Sequence, residues 1–208
     1  MSEPDAAFMK LKIERADLVA WLEDRPPPAT DWSDWRDIGG EYYSGNGGHH
    51  PIADIAAAEF SGYLADCDKQ LRRYATNRQA LRELFDPSED PFLFRVSYDE
   101  ARREFVAGSL GYSENLIDYI IFLTVARGAT ARLGPNGYGL AIIHDFMWGD
   151  ASGREIGVAL RLGPGAKSEF MAGAEVASAA GAFQPIADEI LNAAPFPPPT
   201  HNELDTLK

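Results

Sequence analysis

Residues 91–110 read PFLFRVSYDEARREFVAGSL. Phe92, Phe94, Val96 and Tyr98 alternate with Leu93, Arg95 and Ser97, the two-residue period of a strand with one face turned to a core. The polar run 99–102 supplies a turn, and Phe105 to Leu110 returns as the partner strand. A hairpin is an antiparallel unit, so the question for the rest of the chain is whether it adds to such a sheet.

On the N-terminal side, Met9, Leu11 and Ile13 alternate with Lys10, Lys12 and Glu14, which predicts a second strand with one buried face. Leu18, Val19 and Leu22 then fall at helical spacing until Pro26-Pro27-Pro28 stops the helix. Asp54 is a candidate cap for a long helix whose stripe is Phe60, Tyr63, Leu64, Cys67, Leu71 and Tyr74. Thr76 with Gln79 fits a capping box and restarts a helix bearing Leu81, Leu84 and Phe85, which Asp86-Pro87-Ser88 ends.

On the C-terminal side, Ser113 is placed to cap a helix carrying Leu116, Ile117, Ile120, Ile121, Leu123 and Val125. That helix is apolar nearly all round, as a central buried helix must be, and Gly128 is its stop. Leu140 to Trp148 and Ile156 to Leu162 flank the turn 149–153 as another hairpin. The Ala-rich stretch 168–181 reads as a weak helix, and Pro185 suits the first position of a last helix with Ile186, Ile190 and Leu191. These elements predict an α+β fold: an antiparallel sheet of four or five strands built from hairpins, with helices packed mainly on one face. The expected domain is 1–194, with 29–51 a long irregular loop and 195–208 a disordered tail.

The chain has 208 residues and a formal charge of −13. That balance argues against direct nucleic-acid or anionic-membrane binding, both of which draw on clustered cations, and favours a basic partner. Cys67 is the single cysteine, so no internal disulfide is available, and its apolar setting reads as core filler. No run of 18 apolar residues is present, the N-terminus lacks a signal-peptide core, and the cytoplasm is the expected compartment.

Motifs for chemistry are sparse. Gly163-Pro164-Gly165-Ala166-Lys167-Ser168 has the wrong glycine spacing for a phosphate loop, and Pro164 removes an amide such a loop uses. No Gly-x-Ser-x-Gly elbow occurs. His49, His50 and Asp54 are weak metal candidates, because no larger ligand set accompanies them. His144 and Asp145 are strand neighbours and point to opposite faces.

The strongest binding feature is the loop 29–51. Trp32, Trp35, Tyr42 and Tyr43 are interleaved there with Asp31, Asp34, Asp37 and Glu41. Large rings supply contact energy at low entropy cost, and acids around them suit a basic partner. The alternative for this segment is that both indoles fold inward to hold the loop on the core. In class the chain resembles a bacterial immunity or inhibitor protein: small, acidic, α+β and without catalytic signatures. The resemblance rests on no residue match, so no functional residue is transferred.

The expected function is therefore non-catalytic occlusion of a basic protein partner, for instance a toxin, with no cofactor. One alternative is a small enzyme or ligand-binding protein with a pocket near His144 or His49/His50, joined by Arg95 and Tyr98. A structural or regulatory oligomer is the other.

Overall fold

A computed structural model describes residues 4–44, 48–85, 93–146, 157–192 and 203–208. Its centre is the strand β1 (Asp5–Lys12), which pairs antiparallel with β5 (Glu104–Ser113) on one side and with β6 (Tyr138–His144) on the other. β4 (Phe94–Asp99) extends the sheet beyond β5, and β7 (Val158–Gly163) and β8 (Lys167–Phe170) extend it beyond β6. The β4–β5 hairpin forms as its alternation predicts, and Asp99 Oδ1 accepts from Arg102 N at 2.9 Å in the turn. Phe92 and residues 147–156, which include the expected turn 149–153, lie outside the described residues.

The architecture is α+β, with a sheet larger than expected. Among the described residues six strands form one antiparallel sheet, and β2 (Glu41–Ser44) with β3 (Gly48–Pro51) forms a separate hairpin inside the predicted irregular loop. β8 falls at the start of the stretch read as a weak helix.

Four helices cover one face: α1 (Arg15–Glu23), α2 (Ala57–Leu71), α3 (Asn77–Leu84) and α4 (Leu116–Gly128). Met9, Leu11, Val96, Phe105, Ile143 and Leu160 meet them from the sheet in the main core. α4 connects β5 to β6 with β1 lying between them in the sheet, and sheet and helices enclose it, which explains its apolar circumference.

The opposite face is covered by α5 (Ala174–Asn192). Phe183 stacks on Phe8 at 6.0 Å between ring centres, within a second cluster that includes Ala6, Val106 and Ile142. β1 is thus covered on both faces, not one, and Phe8 and Met9 are equally buried. Gly108, opposite Phe8, makes this possible: a Cβ there would stand 2.3 Å from the Phe8 ring and from the Ala7 carbonyl oxygen.

Helix starts differ from expectation in three places. Asp54 lies in a 3-10 turn, and Ala56 is the N-cap of α2, without a side-chain hydrogen bond. Asn115, not Ser113, caps α4, its Oδ1 accepting from Ile117 N at 2.7 Å. Pro185 lies inside α5; its exposed position lets water serve the carbonyl whose donor the ring removes. The Thr76–Gln79 box forms as read: Thr76 Oγ1 accepts from Gln79 N at 3.1 Å.

Residues 203–208, within the segment expected to be a disordered tail, include a 3-10 turn, Glu203–Asp205, whose Leu204 is buried with Leu207 in the main core. Arg78 donates to the carbonyls of Leu204 and Leu207, and Glu203 Oε2 accepts from Tyr98 N at 2.8 Å on β4.

Candidate functional site

The segment 29–51 divides into an inward half and an outward half. The inward half is organised by Arg127, at the end of α4, whose side chain is fully buried. An ionised group leaves water only with partners. Here Nη1 and Nη2 donate to the two oxygens of Asp34 at 2.6 and 2.9 Å. The guanidinium also lies over the rings of Trp35, Phe170 and Trp32 at 4.5, 4.7 and 5.2 Å. Burial lowers the affinity of Arg127 for its proton, and Asp34 opposes that loss.

Trp35 is 1% exposed, and its Nε1 donates to the Ala29 carbonyl at 2.7 Å. Asp68 of α2 fixes the same turn, accepting from Ala29 N at 2.6 Å and from Thr30 Oγ1 at 2.7 Å. Trp35, expected at a contact surface, is instead buried, and Asp34, about a third exposed, ties the loop to the core through Arg127. The signal was an arginine in the last turn of a mostly apolar helix whose own acid, Asp118, lies nine residues back, so the partner had to come from elsewhere in the chain. Trp32 remains half-buried, with exposed Asp31 beside it, on a hollow of about 420 Å³.

The outward half is the β2–β3 hairpin. Tyr42 pairs with His50 and Tyr43 with His49, and Tyr43 N donates to the Glu114 carbonyl at 3.0 Å, tying the hairpin to the chain just before α4. Between the hairpin, α2 and the start of α4 lies a concavity of about 520 Å³, lined by Tyr42, Tyr43, His50, Glu59, Tyr63 and Ile117 among others. Tyr63 Oη donates to Glu59 Oε1 at 3.3 Å, one helical turn away on α2. Burial, and then the neighbouring Tyr42 and Glu59, push the Tyr63 phenol up to about 12, so it stays a neutral donor. Asp37 is exposed and Glu41 half-buried on the approach to the hairpin. Chemically the hollow offers the Tyr42 and Tyr63 phenols, the His50 imidazole and the Glu59 carboxylate, while the Tyr43 ring, on the alternate face of β2, packs on His49. Aromatic faces beside a carboxylate attract a cation and disfavour an anion.

Tyr63 and Glu59 were missed as site residues, because Tyr63 fell on the stripe assigned to the core and Glu59 on none. Their i, i+4 spacing was the available signal.

The remaining candidates do not converge. His49 and His50 alternate along β3, with their rings against Tyr43 and Tyr42 respectively, and among the described residues no group of three His, Cys, Asp or Glu side chains is placed to hold a metal ion. His144 is half-buried beside Phe146, ring centres 4.6 Å apart, and burial lowers its proton affinity. Arg95 pairs with Glu189 of α5, whereas Tyr98, on the other face of β4, donates to the Ile13 carbonyl at 3.0 Å. Cys67 is fully buried, and burial pushes its thiol up to about 12. Residues 163–168 belong to the β7–β8 hairpin. No helix among the described residues is long and apolar enough to cross a membrane.

Fold and hollow together define an α+β protein with an antiparallel sheet and a tyrosine-lined, acid-bearing concavity at one end of its helical face. Neither a known family model, a curated protein nor a solved structure matches the chain.

Proposed function

We propose that this protein acts by contact, binding a basic protein partner through the concavity between the β2–β3 hairpin and α2. The observation that carries the proposal is the grouping of Tyr42 and Tyr63 with the Glu59 carboxylate around one hollow of about 520 Å³. A lysine or arginine side chain fits that chemistry: its stem lies on the rings and its charge meets both the ring faces and the carboxylate. The net charge of −13 would steer such a partner inward. Occlusion of the partner, as an immunity or inhibitor protein achieves it, is the action this mode of binding supports. Trp32 and Asp31 belong to a separate hollow, lined also by Arg127 and Gly128 at the opposite end of α4.

A single-arginine peptide (acetylated and amidated, otherwise Gly and Ser) is the minimal probe. Titrated into the labelled protein, it is expected to shift the NMR signals of the Tyr42 and Tyr63 rings. Glu59→Gln is expected to weaken the binding severalfold. Ring signals that stay still at millimolar peptide would refute the proposed site.

A further inference from the structure

α2 carries more than one hollow along its outer stripe. Glu59 and Tyr63 line the first, and Gln70, at the far end of the helix, lines a second of about 380 Å³ together with Tyr74, Tyr112, Glu83 and Asp118. The steps from 59 to 63, 66 and 70 are four, three and four residues, so all four positions share one helical face. Asp66, between Tyr63 and Gln70 on that face, is exposed and paired with Lys69 at 2.7 Å.

The second hollow combines acids with tyrosines as the first does but is more tightly packed: Tyr74 is buried in the core, and the Tyr112 ring lies against Phe85 and Phe122. Two phenols, Tyr74 and Tyr112, face two carboxylates. Ser113 Oγ donates to Asp118 at 2.6 Å and Gln79 Nε2 to Glu83 at 3.0 Å, so both acids are oriented by neutral donors. Burial raises the Tyr74 phenol first; Glu83 and Asp118 then add to the rise and outweigh the opposing Arg73, which marks the local potential as negative.

We infer that the two hollows together read two cationic side chains borne by a single extended segment of the partner. The inference rests on the binding site proposed above. The spacing follows from the helices. From Glu59 to Gln70 is eleven residues, about 16 Å along α2; on α4, Ile117 lines one hollow and Ile121 the other, about 6 Å apart at 1.5 Å per residue. The proposed pair of contacts takes a spacing within this range. An extended chain rises about 3.3 Å per residue, so two arginines four residues apart, about 13 Å, match the pair. Adjacent arginines carry the same charge but point to opposite sides of an extended chain.

The experiment compares three such Gly-Ser peptides by NMR titration: one arginine, two adjacent arginines, and two arginines four residues apart. The spaced pair is expected to bind roughly tenfold more tightly than the adjacent pair, since its second contact is intramolecular. It is also expected to shift the rings of both hollows. Glu83→Gln, a substitution at an exposed position of α3, is expected to remove that advantage and leave the shifts that the single-arginine peptide causes at the Tyr42 and Tyr63 rings unchanged. Equal affinity for spaced and adjacent pairs, with shifts confined to Tyr42 and Tyr63, overturns the two-hollow inference and leaves the first site standing. No shift with any peptide overturns both.

Discussion

Asp5 shows how far one residue departs from its ordinary chemistry here. It is 5% exposed, at the start of the central strand, and accepts a hydrogen bond from the Tyr119 hydroxyl. Burial raises its carboxyl to about 7, Asp145 and Glu114 add to the rise, and the bond from Tyr119 opposes it. In an unfolded chain an aspartate ionises at about 3.9. Between those values the folded form holds a proton that the unfolded form has released, so stability falls as pH rises from about 4 to 7 and levels off above. Asparagine keeps an acceptor for Tyr119 and cannot ionise. Asp5→Asn is therefore expected to flatten that fall and to be more stable than the parent at pH 8, by roughly 2–4 kcal/mol, since each tenfold change in proton affinity is worth about 1.4 kcal/mol. Urea denaturation at pH 5 and pH 8 checks this. Parallel pH profiles for parent and variant would show that Asp5 is ionised in the folded protein across the range.

Among elements, the turn Glu203–Asp205 shows why sequence pattern reached some parts of the fold and not others. The β4–β5 hairpin and α4 were legible because their apolar residues repeat at the period of the element they form. Leu204 and Leu207 are too few to show a period, and their burial is set by α3 and β4, far away in the chain. The β2–β3 hairpin is a second case. Glu41-Tyr42-Tyr43-Ser44 and Gly48-His49-His50-Pro51 have no buried face, so no alternation of apolar with polar residues announces them. The candidate site was legible in part for the same reason: Tyr42 and Tyr43 stood out by composition, whereas Glu59 and Tyr63 acquire meaning only once the hairpin folds over α2. Similarly, the sequence showed both indoles but not that Arg127 draws Trp35 inward. If the C-terminal turn is an integral part of the core, Leu204→Ala should cost about 2–4 kcal/mol, the range for truncating a buried leucine, with Leu207→Ala comparable. Denaturant melts measure both. A cost below about 0.5 kcal/mol for each would show the turn to be loosely attached.

At the scale of the molecule, the surplus of acids acts on stability and on binding in opposite directions. A net charge of −13 repels itself, and that repulsion is a cost of the compact state. Exposed pairs such as Arg15–Glu100, Arg132–Asp24 and Arg161–Glu175 offset only part of it, since pairs in water contribute little. Under the proposed function, the same field would draw cations toward the hollows along α2. Salt weakens both effects: the screening length falls from about 30 Å at 0.01 M to about 10 Å at 0.1 M. That is enough to separate the scattered acids while leaving close pairs largely intact. Over this range the melting temperature of the free protein should rise by a few degrees, while its affinity for the spaced two-arginine peptide falls severalfold. Calorimetric melts and peptide titrations on one protein stock test the two together. A melting temperature that falls with salt would mean that the surface pairs outweigh the repulsion. A peptide affinity indifferent to salt would mean that the rings hold the ligand without help from the charge, and the steering role assigned to the acids would be lost.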